Sequence, residues 1–89
     1  MRAVSFCLAE GVLTQKLGPE LVLMHVAKGQ YYELNSTGVV VLEAILAGAD
    51  ALSAAQQLSQ RYQVDLARAH ADVSALLINL TDRALLILQ

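Results

Sequence analysis

The sequence predicts an α+β domain of winged helix-turn-helix type, a three-stranded antiparallel sheet followed by three helices. Three observations lead there. Short alternating runs punctuated by glycine and proline fill residues 12–34. An almost wholly apolar helical stretch begins directly after them at a cap residue. Two further stretches with helical spacing follow, joined by a short turn.

Residues 1–10 carry little pattern and allow either a frayed arm or a short first strand. Residues 12–17 and 20–26 read as strands, separated by Gly18-Pro19. Proline lacks a ladder donor there and glycine permits turn dihedrals. A second turn at Ala27-Lys28-Gly29 leads into a third strand over 30–34, which completes a meander. Alternation in that strand puts Tyr32 and Leu34 on one face and Tyr31 and Glu33 on the other. The face without the charge is assigned to the core. His25 shares a strand face with Leu21 and Leu23 and is expected to be partly exposed.

Asn35 or Ser36 caps the first helix by accepting a hydrogen bond from a free backbone N–H. The helix runs to about residue 47, with Gly48 as its C′ residue. Its unbroken apolar run implies burial on more than one side. Ser53-Ala54-Ala55-Gln56 fits a capping box, which starts the second helix at Ser53. That helix runs to about Tyr62 and buries Ala55, Leu58 and Tyr62. After a turn at Gln63-Val64-Asp65, Asp65 caps a third helix. Its apolar stripe reads Leu66, Ala69, Val73, Leu76, Leu77 and Leu80. Residues 83–88 form an apolar tail, a last helical turn followed by a short strand.

A chain of 89 residues makes one domain, 1–89, with a modest core. With 56% hydrophobic and 16% charged residues it can bury enough surface to fold, and some apolar surface should stay exposed as a groove or interface. A net charge of -2 argues against a general nucleic-acid binder. The single cysteine, Cys7, excludes an internal disulfide and fits a reducing compartment. No secretory signal is visible, and the longest near-apolar run is far short of the ~20 residues that span a bilayer. A cytoplasmic protein that does not enter a membrane is expected.

The catalytic inventory is thin. Cys7 could pair only with His25 or His70, and nothing in the sequence places either beside it; Cys7 reads as a small apolar filler. No HxxxH, HExxH or CxxC motif is present, so neither a metal site nor a cofactor is expected. The glycines are scattered at turns and helix ends rather than gathered in a phosphate-cradling loop. The helix-turn-helix join raises a DNA-binding reading, but Arg68 and His70 on its second helix are offset by Asp65 and Asp72.

A strand edge beside a helix face is the more informative constellation. In a three-strand meander the third strand has one unpaired edge, whose N–H and C=O groups need a partner. An incoming peptide would add a fourth strand along Tyr31, Tyr32, Glu33 and Leu34. The third helix would supply the opposing wall through Arg68, Asp72, Ala75, Leu76 and Asn79. Without a ligand, the same residues make a capped edge strand and a solvated helix face.

The sequence resembles the PqqD-like leader-peptide recognition domains of peptide-modifying pathways from roughly Val12 to Leu86. The resemblance rests on Leu34-Asn35-x-Thr37, the apolar helix ending near Gly48, and the Leu58 and Tyr62 spacing. Asp72-Val73-x-x-Leu76-Leu77-x-x-Leu80 and Ala84-Leu85-Leu86 complete it. Ala84 stands where these domains usually carry glycine, and the usual Gly-x-x-Thr before the second helix is loosened to residues 48–53. The size and the Tyr31-Tyr32 pair look most like the stand-alone leader-binding proteins of lasso-peptide biosynthesis.

That resemblance implies a non-catalytic protein whose partners are a precursor leader peptide and a leader-cleaving cysteine protease. The leader would dock as an extra strand between the third strand and the third helix. Carried over by position, Tyr31 to Leu34 would form the strand edge, and Asp72, Val73 and Leu76 the helix side, although Val73 reads equally as core. Two alternatives stay open: a PqqD-like carrier serving a radical or other modifying enzyme, and a winged-helix DNA-binding protein.

Overall fold

The computed structural model describes residues 5–88. Strands β1 (Phe6–Leu8), β2 (Leu13–Leu17), β3 (Glu20–His25) and β4 (Gln30–Leu34) come first. Helices α1 (Ser36–Leu46), α2 (Ala51–Tyr62) and α3 (Leu66–Asp82) follow, then strand β5 (Leu86–Leu88). β2, β3 and β4 form the antiparallel meander with β3 in the centre, where Leu23 faces Thr14 on one side and Tyr32 on the other. The architecture is α+β, three antiparallel strands followed by three helices, as the punctuation and periodicity predict.

The weakly patterned start forms a strand within its described part. β1 pairs antiparallel with β5, Phe6 opposite Leu88, in a second, two-stranded sheet. The Ala9 N–H donates to the Leu85 carbonyl at 3.0 Å and continues this clasp between the two ends. Cys7 sits half-buried inside it, opposite Ile87. Residues 1–4 of that segment lie outside the described residues.

One core joins sheet and helices. Leu23 and Leu34 from the sheet meet Val41, Leu42 and Ile45 of α1, Leu58 of α2, and Val73 and Leu80 of α3. Ala54, Ala55 and Ala69 are fully buried, small enough to let α2 and α3 approach closely. α1 contributes four buried residues in its short length, which its unbroken apolar run foretells.

The join between β4 and α1 is tight. The Asn35 Oδ1 accepts from the Gly38 N–H at 2.9 Å and from the Thr37 hydroxyl at 2.8 Å. A Cβ on Gly38 would stand 3.2 Å from Leu34 Cδ2 and 3.3 Å from Asn35 Oδ1, so glycine keeps that corner compact. α3 closes with a Schellman turn: Ala84 N–H donates to the Thr81 carbonyl, and Leu85 N–H to the Leu80 carbonyl, each at 3.0 Å. Leu80 and Leu85, the apolar pair such a turn brings together, are both fully buried.

Four expectations are corrected. α2 starts at Ala51, earlier than Ser53, because Asp50 takes the cap and accepts from the Ser53 N–H at 2.8 Å. That hydrogen bond holds the Asp50 carboxyl below its ordinary value, so the cap is charged at neutral pH. Tyr62 is 37% exposed: Gln63 turns the chain at φ 54°, and Val64 packs against the core instead. The Ser59 hydroxyl pins that turn by donating to the Val64 carbonyl at 2.6 Å. Leu66, on the first turn of α3, is likewise exposed rather than part of the buried stripe. His25 is buried: its Nδ1 accepts from the Lys28 N–H at 3.3 Å, and Gly11, which has no side chain, leaves room over the ring.

Two stability outcomes follow. Ala84 adopts φ 56°, a left-handed conformation that costs a residue with a Cβ. Ala84→Gly should raise stability by about 0.5–1 kcal/mol in urea denaturation; a loss would show that Ala84 is unstrained. Asn35→Ala removes the acceptor at the β4–α1 join and should lower stability by about 1 kcal/mol, and an unchanged midpoint would show that the cap contributes nothing.

Candidate functional site

Among the described residues, β4 has β3 as its only strand neighbour, so its far edge is unpaired. The side chains of β4 alternate as expected: Leu34 is buried, Tyr32 half-buried, and Tyr31 and Glu33 exposed. Because Asn35 turns the chain straight into α1, the helix runs under the sheet rather than along its edge. An open groove of about 430 Å³ remains between β4 and α3.

The groove has an apolar floor of Leu34, Val41, Leu58 and Leu76, one side chain from each of β4, α1, α2 and α3. Tyr32, Asn35, Thr37 and Gly38 complete the strand side. The Asn35 and Thr37 side chains are already engaged with each other in the cap. Glu20, Glu33 and Asp72 stand at the rim, and among the described residues no lysine or arginine lines the groove. Arg83, just past α3, places its guanidinium carbon 5.2 Å from the centre of the Tyr32 ring, a cation–π contact that holds the ring at the groove wall.

The structure brings together Tyr32, Glu33, Leu34, Asp72 and Leu76 of the residues singled out from sequence. The other five, Tyr31, Arg68, Val73, Ala75 and Asn79, do not line the groove, and Ala75 and Asn79 are exposed on α3. Tyr31, 67% exposed, projects from the outer face of the sheet beside Met24. Arg68 is exposed one helical turn before Asp72 and does not line the groove. Val73 has no exposed surface and packs in the core. Sequence reasoning missed Glu20, Asn35, Thr37, Gly38, Val41 and Leu58 as lining residues. Val41 and Leu58 look like ordinary helix core, and only a glycine in the first turn of an apolar helix hinted at a close approach there.

The sheet has a second outer edge at β2, but that strand is exposed along its whole length and does not line this groove. The β4 edge combines free backbone groups with an apolar floor. Among the described residues, no group of three or more His, Cys, Asp or Glu could hold a metal ion, so the rim carboxylates do not converge. No helix there is long and apolar enough to cross a membrane. The arrangement suits an extended chain: a ladder along β4, an apolar side chain in the floor, and a negative rim.

Comparisons with known proteins point the same way. A solved structure described as lasso peptide synthetase B1 complexed with the leader peptide superposes with a TM-score of 0.85 at 25% identity. It covers 93% of this chain and 98% of its own. A second, described as TbiB1 in complex with the TbiA(beta) leader peptide, has a TM-score of 0.78 at 23% identity and shares the fold. The match there covers 89% of this chain and 92% of that one. A search of curated protein sequences returned no significant match. The family model of coenzyme PQQ synthesis protein D matches residues 20–86, from the start of β3 to the start of β5. With most of its length matched, and with the strand and helix order described above, this chain is a member of the PqqD family.

Proposed function

We propose that this protein binds the leader of a ribosomally made precursor peptide by strand addition to β4 and presents it to a leader-cleaving cysteine protease in lasso-peptide biosynthesis. The protein itself performs no chemistry in this reading. The observation that carries it is the unpaired β4 edge bordering an apolar groove walled by α3. The similar solved structures are described as leader-peptide complexes, which supports the same role here.

Magnitudes say what the leader must supply. Five-residue β4 offers a ladder of only ~17 Å. Each ladder bond nets about 1 kcal/mol, while ordering the peptide costs on the order of 1–2 kcal/mol per residue. Backbone pairing alone therefore breaks even at best. One or two apolar side chains entering the Leu34, Val41, Leu58 and Leu76 floor must tip the balance. Burying such an anchor contributes about 1.5–3 kcal/mol.

Membership of the PqqD family favours a second reading, in which the protein carries a precursor for a radical or other modifying enzyme. The two share the groove and differ in the enzyme served. Stimulated leader removal by a cysteine protease supports the first, and stimulated modification by a radical enzyme the second. The DNA-binding reading rests only on the α2–α3 join, where Arg61, Arg68 and His70 lie among Asp65 and Asp72. Salt-sensitive duplex binding with no affinity for any leader would favour it.

The test is a titration of the fluorescently labelled cognate leader against wild type and Leu76→Asp. Wild type should bind saturably, and the variant should lose roughly 2 kcal/mol, ~30-fold in affinity, because it sets an unpaired charge in an apolar floor. Leu76 is half-buried, so the variant's circular dichroism and melting curve must match wild type; Leu76→Ala serves if they do not. Equal binding by a folded variant would contradict the placement of the groove.

A further inference from the structure

The rim of the groove carries more information than its floor. Glu20 at the start of β3, Glu33 on β4 and Asp72 on α3 come from three separate elements, yet all line the same opening. They are three of the chain's eight acidic residues. Among the described residues, no lysine or arginine lines the groove to balance them. Arg68, one turn away on α3, lies outside it, and Arg83 is set over the Tyr32 ring. All three rim residues are exposed, so their charges remain hydrated and ready to attract a cation at little desolvation cost.

Resting on the peptide-binding reading of this groove, we infer that it selects an extended peptide carrying lysine or arginine within two residues of its apolar anchor. An added strand alternates its side chains between the two faces of the sheet. With the anchor in the floor, residues two positions away share its face and reach toward Asp72 on the helix side. Residues one position away point to the outer face, where Glu33 projects. A cation at either distance meets a carboxylate, while an acidic residue there meets repulsion. A negatively charged rim also steers basic peptides into the site, so the preference should weaken as salt screens it. The floor decides whether a peptide binds, and the rim decides which.

The experiment pans a displayed library of random twelve-residue peptides against the purified chain at low salt. Recovered peptides are synthesised, each with a partner in which lysine or arginine becomes glutamine. Both are titrated against wild type, Glu33→Gln and Asp72→Asn, all checked for unchanged melting. Recovered sequences should be enriched for lysine or arginine within two residues of an aromatic or aliphatic side chain. The basic peptide should bind wild type three- to tenfold more tightly than its glutamine partner, with the ratio falling at high salt. In one or both carboxylate variants that ratio should shrink toward unity. Equal affinity of the basic peptides and their glutamine partners, recovered sequences without lysine or arginine near the anchor, or a ratio unchanged in both variants overturns the charge selectivity and leaves the peptide-binding reading standing. Failure of every peptide to bind saturably overturns both.

Discussion

The corner between Leu34 and Gly38 is the constraint on which the rest of the structure depends. The Asn35 side chain collects the Thr37 hydroxyl and the Gly38 N–H, and so turns a strand into a helix with no intervening loop. Gly38 lets the buried Leu34 side chain lie against the first helical turn, where a methyl group would crowd it. Because the turn is immediate, α1 passes beneath the meander. Among the described residues, no strand pairs with the far edge of β4. A longer connection would have had slack to fold back over those backbone groups, as native sheets commonly cover their edges.

Leaving an edge and an apolar floor open is costly for a small domain, and the structure compensates at its two ends. β1 and β5 clasp the described ends together, and Leu85 and Leu86 are almost completely buried beneath that clasp. The Schellman turn that aims β5 requires a left-handed residue, and this chain places alanine there rather than glycine. The same turn brings Arg83 over Tyr32, so the end of α3 also fixes one wall of the groove. Stability and site geometry thus meet at the same few residues.

Much of this was legible in the sequence. Strand limits follow Gly18-Pro19 and Gly29, and Asp65 caps α3 as its position suggests. Local chemistry misled where two signals competed. Ser53 and Asp50 both suit a cap, and the carboxylate three residues earlier wins. Tyr62 lies on the helical stripe, but the left-handed Gln63 gives its place to Val64. The β1–β5 pairing joins segments almost a full chain length apart, which no local pattern encodes. For the groove, alternation found Tyr32 and Leu34 and helical spacing found Asp72 and Leu76. Glu20, Val41 and Leu58 reach it only through packing of different elements, so nothing in their neighbours in sequence marks them.

In the function proposed above, a foreign chain completes the sheet along β4. Amide hydrogen exchange at Tyr31 to Leu34, with and without the cognate leader, tests it most directly. Amides pointing away from β3 should exchange fast in the free protein and become strongly protected when the leader is present. Protection confined to the helices, or β4 exchange unchanged at saturating leader, would contradict it.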